Sequence, residues 1–87
     1  MIKVQVTAEH IKNGIQCTPQ KCPVALAIKD AVPQWDFVTV GNDRFSSYIG
    51  DALVKEHSPL PMKISKFIRA FDKSPSSVKP ISFTIKE

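Results

Sequence analysis

Glycine is scarce, with three in 87 residues, and no glycine-rich turn precedes the apolar stretch that begins at Pro23. A phosphate cradle of exposed backbone amides has nothing to build on there. Cysteine and histidine number only two each, which leaves little material for a metal centre. Long apolar runs are missing as well. The longest, residues 24–28, is far below the roughly 20 residues a membrane span requires, and the first residues alternate where a signal peptide would be continuously apolar. These absences predict a soluble, intracellular, cytoplasmic chain without membrane association. No repeat or low-complexity segment appears, which excludes a solenoid or a disordered tail.

What is present suits a small globular domain. The chain is 43% hydrophobic and 23% charged, and its length allows one modest core over residues 1–87 but no cleft between two domains. Its formal charge of +4 is uneven. Residues 1–60 carry six Lys/Arg against six Asp/Glu, whereas residues 61–87 carry six Lys/Arg against Asp72 and Glu87 alone. The surplus therefore belongs to the last 27 residues.

That surplus is organised by residues 61–73, PMKISKFIRAFDK. At 100° per residue, Ile64, Phe67, Ile68 and Phe71 fall within an arc of roughly 100°, with Lys63, Lys66, Arg69 and Lys73 opposite. The spacing predicts a helix with one core face and one cationic stripe. Pro61 suits its first turn, and Ser74-Pro75 stops it because the residue before a proline disfavours the α region.

The other segments are read as assembling against this helix. Ile2, Val4 and Val6 alternate with polar residues, which predicts a half-buried strand. Thr7 can cap a short helix over residues 8–13, with Gly14 as a left-handed terminator. Residues 15–21 read as a loop. Cys22-Pro23 opens a second helix that runs to about Ala31 before Pro33, and its alanines predict close approach to a neighbouring element.

Residues 35–40 read as a strand, and Gly41-Asn42-Asp43 as a tight turn returning through residues 44–49. On that return strand Phe45, Ser47 and Ile49 share one face and Arg44, Ser46 and Tyr48 the other. Residues 50–60 are ambiguous between a helical turn and a strand, with Pro59 and Pro61 enforcing an extended connection. Residues 74–79 read as a polar linker, and Ile81, Phe83 and Ile85 mark a last strand. The expected fold class is α+β: a mostly antiparallel four-stranded sheet with two main helices packed on one face. Central pairing of the first and last strands would make it ferredoxin-like.

Several residues could carry chemistry. Cys17, Cys22, His10 and His57 form a formal two-cysteine, two-histidine set, the weak candidates for a metal site. Nothing in the spacing brings His57 to the cysteines, and two separate thiols are the leading reading over a disulfide or zinc. Cys22 with His10 or His57 could in principle make an activated nucleophile, yet no spacing supports a triad. The acids Asp30, Asp36, Asp43 and Asp51 sit where aspartate is structurally ordinary. Trp35, Phe37, Phe45 and Tyr48 could stack on bases, but their alternation favours core packing, with Trp35 and Tyr48 keeping an exposed edge. No cofactor is expected.

The segments His10-Ile11 with Gly14, then Cys22-Pro-Val-Ala-Leu-Ala-Ile, then Phe67-Ile-Arg-Ala-Phe-Asp and Pro80-Ile-Ser-Phe together resemble small uncharacterised single-domain proteins of bacterial and phage genomes. The resemblance covers most of the chain and transfers no activity. It implies a context in which small proteins bind and block host factors, such as a phage-encoded inhibitor of a CRISPR effector or other host defence complex. The expectation is thus a non-enzymatic protein-binding module using Lys63, Lys66, Arg69 and Lys73 with Arg44 and Tyr48 against an acidic protein surface. Direct nucleic-acid binding through the same stripe is the alternative, and a small zinc or thiol protein the third. A homodimer is plausible because a small sheet leaves edges to protect.

Overall fold

The computed structural model describes residues 2–41, 44–57 and 60–85, and for residues 55 and 57 the backbone alone. Asn42 and Asp43 of the expected turn, and Pro59 of the expected connection, lie outside the described residues.

The element order is β1 (Ile2–Val6), α1 (Ala8–Asn13), α2 (Pro23–Ala31), β2 (Phe37–Val40), β3 (Phe45–Ile49), β4 (Ala52–His57), α3 (Met62–Lys73), a 3-10 turn (Pro75–Ser77) and β5 (Ile81–Ile85). The α+β class holds. The single four-stranded sheet does not: among the described residues five strands form two antiparallel sheets, one of β1 and β5 and one ordered β2-β3-β4. First and last strands pair, Val4 opposite Phe83, but in a sheet of their own. The ferredoxin-like arrangement is thereby excluded. The reason lies in α2, whose backbone comes within 8 Å of both β1 and β2. Its buried Val24, Ala25, Ala27 and Ile28 fill the space between the sheets, the close approach that small side chains permit.

Within the ambiguous stretch of residues 50–60, Ala52–His57 is strand. Ile49 pairs with Ala52, so Gly50-Asp51 is a two-residue hairpin loop, with Gly50 at φ 60° as such turns demand. Its N–H donates to the Asp36 carboxylate, tying the hairpin to the start of β2. The register jumps from Tyr48 opposite Leu53 to Ser47 opposite Lys55. Val54 is therefore the extra residue of a β-bulge, which twists an edge strand.

Gly14 corrects the expectation at the end of α1. Its φ is −69°, so it is not left-handed; a Cβ there would lie 2.7 Å from Cγ and Cδ of Pro23. Close packing against the first residue of α2 is what excludes a side chain. The beginning of α1 is as expected and better furnished, because Thr7 and His10 form a reciprocal capping box.

One core joins the layers. Val4 and Val6 from β1, Val24 and Ile28 from α2, Phe45 from β3, Ile64, Phe67 and Ile68 from α3 and Phe83 from β5 belong to a single buried cluster. Phe71 is buried as well. Trp35 is buried beside Phe45, with ring centroids 6.5 Å apart, rather than edge-exposed. It precedes β2 instead of beginning it. Phe37 departs the other way. Val38 and Val40 take the inner positions of β2, so Phe37 turns outward and is half-buried, stacked on Tyr48 at 4.7 Å.

Candidate partner-binding surfaces

α3 presents its cations as its periodicity requires. Ile64, Phe67, Ile68 and Phe71 are buried, and Lys63, Lys66, Arg69 and Lys73 are all exposed. From Lys63 to Lys73 the stripe runs along about 15 Å of helix at 1.5 Å per residue. Consecutive members are three, three and four positions apart, which makes each the helix-surface neighbour of the next. Among the described residues no salt bridge engages any of them. The first turn holds no acid, and Pro61 supplies no side-chain cap. Lys63 therefore stands at the positive end of the helix dipole, where a cation is disfavoured.

Asp72, the acid nearest the stripe in sequence, is committed elsewhere. Its Oδ1 accepts the Cys17 backbone N–H at 3.0 Å, while the Gln16 side chain donates to the carbonyls of Asp72 at 2.8 Å and Phe71 at 3.3 Å. The loop of residues 15–21 thus closes the C-terminal end of α3. Sequence reading placed this loop correctly but found none of the latch, since Gln16 and Asp72 are 56 residues apart.

Arg44 and Tyr48, the other two expected partner-binding residues, are presented on a different element. They sit two strand repeats apart on the outer side of the β2-β3-β4 sheet, away from the buried Phe45 and Ser47. The Arg44 Nη1 is 3.2 Å from Glu56 Oε1 on β4, so this cation is paired across the sheet. Tyr48 has Phe37 stacked on one side and Leu53 opposite it in register on the other. Around the β3–β4 hairpin, Ile49, Leu53 and Val54 are about half exposed. None of these apolar residues was singled out from the sequence. The outward-facing Phe37–Tyr48–Leu53 row could have been found by aligning β2, β3 and β4 through the Gly50-Asp51 turn.

Among the described residues the metal candidates do not assemble. His10 Nδ1 accepts the Thr7 backbone N–H at 3.0 Å, which leaves Nε2 to donate to Asp30 Oδ2 at 2.6 Å. Both ring nitrogens are occupied. Asp30, to which His10 of α1 is bonded, lies at the C-terminal end of α2, whereas Cys22 lies at its beginning, about 12 Å away along the axis. The His57 side chain is outside the described residues, and among the described residues no group of three His, Cys, Asp or Glu could hold a metal ion.

The two cysteines are free thiols, Cys17 exposed and Cys22 buried. Cys22 Sγ accepts the Ala25 N–H at 3.4 Å and so caps α2. Burial, reinforced by the charge of Asp72, pushes the thiol above its ordinary pKa, and the cap's backbone N–H groups only partly offset this. Such a group keeps its proton at neutral pH and is not a pre-ionised nucleophile; to attack, it must give up that proton in the same step.

Among the described residues no helix is long and apolar enough to cross a membrane. Comparison of the chain with protein-family models, curated proteins and solved structures yields no match. The surfaces are therefore read from their own chemistry.

Proposed function

We propose that this protein is a non-enzymatic binding module that lays the exposed face of α3 on an acidic surface of a protein partner and acts by occlusion. The observation that carries this reading is the run of mutually adjacent cations on α3. Like charges at these spacings each cost an isolated helix about 0.2–0.5 kcal/mol, and a first-turn lysine adds to the cost. A face that served only solubility would gain from alternating signs; a face that meets acids gains from one sign. The resemblance to bacterial and phage proteins supplies a setting, in which the partner is a host defence complex such as a CRISPR effector.

Direct nucleic-acid binding would use the same cations. It is the weaker reading because the outward aromatic pair offers little stacking platform: the facing sides of Phe37 and Tyr48 cover each other, whereas single-strand readers leave rings open to bases. The test is capture from host lysate with and without nuclease, using wild type and a K63E/K66E/R69E/K73E variant shown to be folded by circular dichroism. The expected result is a defined protein that survives nuclease and is lost with the variant. Recovery of nuclease-sensitive nucleic acid alone would replace this reading with the other. Identical captures by both proteins would reduce the stripe to a solvated helix face.

A further inference from the structure

We propose that Cys17 and Cys22 are a peroxide-responsive thiol pair, joined on oxidation by an intramolecular disulfide that releases the residue 15–21 loop from the end of α3. The two thiols share one pocket of about 200 Å³, lined also by Thr18, Pro19, Ile68 and Asp72. They are brought together by the loop itself. Ile15 N–H donates to the Lys21 carbonyl at 2.8 Å, and Lys21 N–H to the Thr18 carbonyl at 3.1 Å. The chain therefore doubles back between residue 15 and residue 21. Cys17 lies inside the closed loop and Cys22 follows its closing residue, so the two residues border the same space.

The two cysteines are unequal in a way that assigns their roles. Cys17 is exposed and is the one non-glycine residue at positive φ among the described residues, at 56°, a conformation disfavoured for a side chain with a Cβ. Cys22 is buried, caps α2, and is held protonated chiefly by desolvation. Peroxide reaches Cys17 first. Its sulfur attacks one peroxide oxygen, the O–O bond breaks, and Cys17 becomes a sulfenic acid as one water leaves. The Cys22 sulfur then displaces the hydroxyl from Cys17, and that hydroxyl departs as water with the Cys22 proton. Two thiols and one hydrogen peroxide give one disulfide and two waters, with the sulfurs supplying both electrons.

Closing the bridge requires movement, because a disulfide fixes both the S–S distance and the dihedral about it. Cys22 is anchored in the core and at the start of α2, so the exposed partner is the one that shifts. Cys17 cannot shift without carrying its own N–H, which Asp72 holds, and its neighbour Gln16, which holds the last carbonyls of α3. The bond that forms in the loop thus opens the latch on the cationic helix.

The experiment uses the isolated protein, so its outcome is independent of whether α3 binds a protein. Wild type, C17S and C22S are treated with graded hydrogen peroxide, quenched with catalase, and followed by intact mass, thiol titration in denaturant and amide hydrogen exchange. Serine keeps an oxygen acceptor at the α2 cap, so C22S retains the fold. Wild type is expected to lose the mass of two hydrogens and both titratable thiols without forming a disulfide between molecules. C22S is expected to stop at a sulfenic acid on Cys17 that dimedone traps, and C17S to resist the same dose. In the oxidised wild type, exchange over residues 15–22 and the last turn of α3 should rise by tenfold or more while β1 and β5 stay protected. Oxygen addition without loss of the second thiol, or disulfides between molecules only, would overturn the pairing. An intramolecular disulfide with unchanged exchange at both segments would overturn the latch.

Discussion

Reversing the charge of Lys63 tests whether the stripe burdens the fold that carries it. Lys63 occupies the first turn of α3, where no acid balances the dipole and Lys66 is its neighbour one turn on. In K63E the residue at the positive helix end changes from a cation to an anion, worth about 0.3–1 kcal/mol. The contact with Lys66 changes from repulsion to attraction, worth about 0.4–1 kcal/mol from two single-pair terms. Both groups are exposed and screened, so the expected net gain is about 1 kcal/mol at low ionic strength. For a domain of this size that raises Tm by about 4–8 °C. Thermal and urea unfolding of wild type and K63E, at low salt and at about 0.5 M NaCl where charge effects collapse, would measure it. The gain should appear at low salt and shrink at high salt, while partner capture weakens. A Tm that falls would show that Lys63 serves the folded chain, and a gain that salt leaves untouched would show that its cost is not electrostatic; either would remove the ground on which α3 was read as a docking face.

Further expectations follow from the packing. Gly14→Ala should lower stability by about 1–3 kcal/mol, the usual cost of overpacking, because its Cβ would meet Pro23 at 2.7 Å; a shift in the urea midpoint checks it. Thr7→Ala should cost about 0.5–2 kcal/mol through loss of the α1 cap, read from the same transition. Native alkylation at mildly alkaline pH should modify Cys17 and spare Cys22 until the protein is unfolded. The raised Cys22 pKa gives a signed stability effect: its contribution is full below the ordinary thiol pKa and is lost as pH climbs through the folded value. Cys22→Ser should accordingly flatten the alkaline arm of the stability profile, and an unchanged arm would assign that loss to other groups.

The helix that organises the chain was legible because its large apolar residues and its cations take separate arcs over residues 63–73, with only the small Ala70 falling on the cationic side, so the period of 3.6 has no competitor. β1, β3 and β5 were legible through alternation. β4 was not, because the bulge at Val54 breaks the period of two and because Ala52, Leu53 and Val54 are all exposed on an edge. The Gly50-Asp51 hairpin loop was the local signal that could have decided it. The division into two sheets had no local signal, since it follows from α2 lying against β1 and β2 at once. Gly14 and Asp72 show the same limit at single residues. A glycine next to a helix end suggested a left-handed cap, and the true cause is Pro23; Asp72 entered the sequence reading only as one acid in a charge count, and it accepts the Cys17 backbone N–H.

The pairing of β1 with β5 sets an order of events during synthesis. The β2-β3-β4 ladder joins residues within a short span and can close as soon as it is made, whereas Val4 meets Phe83 across nearly the whole described chain. Such distant contacts slow folding, because the loop must be closed before the contact rewards it. β1 emerges first and waits, with one edge of its core side unmade, until β5 is available. Substitutions in the β2–β4 hairpins should therefore act mainly on the folding rate and those in the β1–β5 ladder mainly on the unfolding rate, so that the earliest strand made is the last one secured.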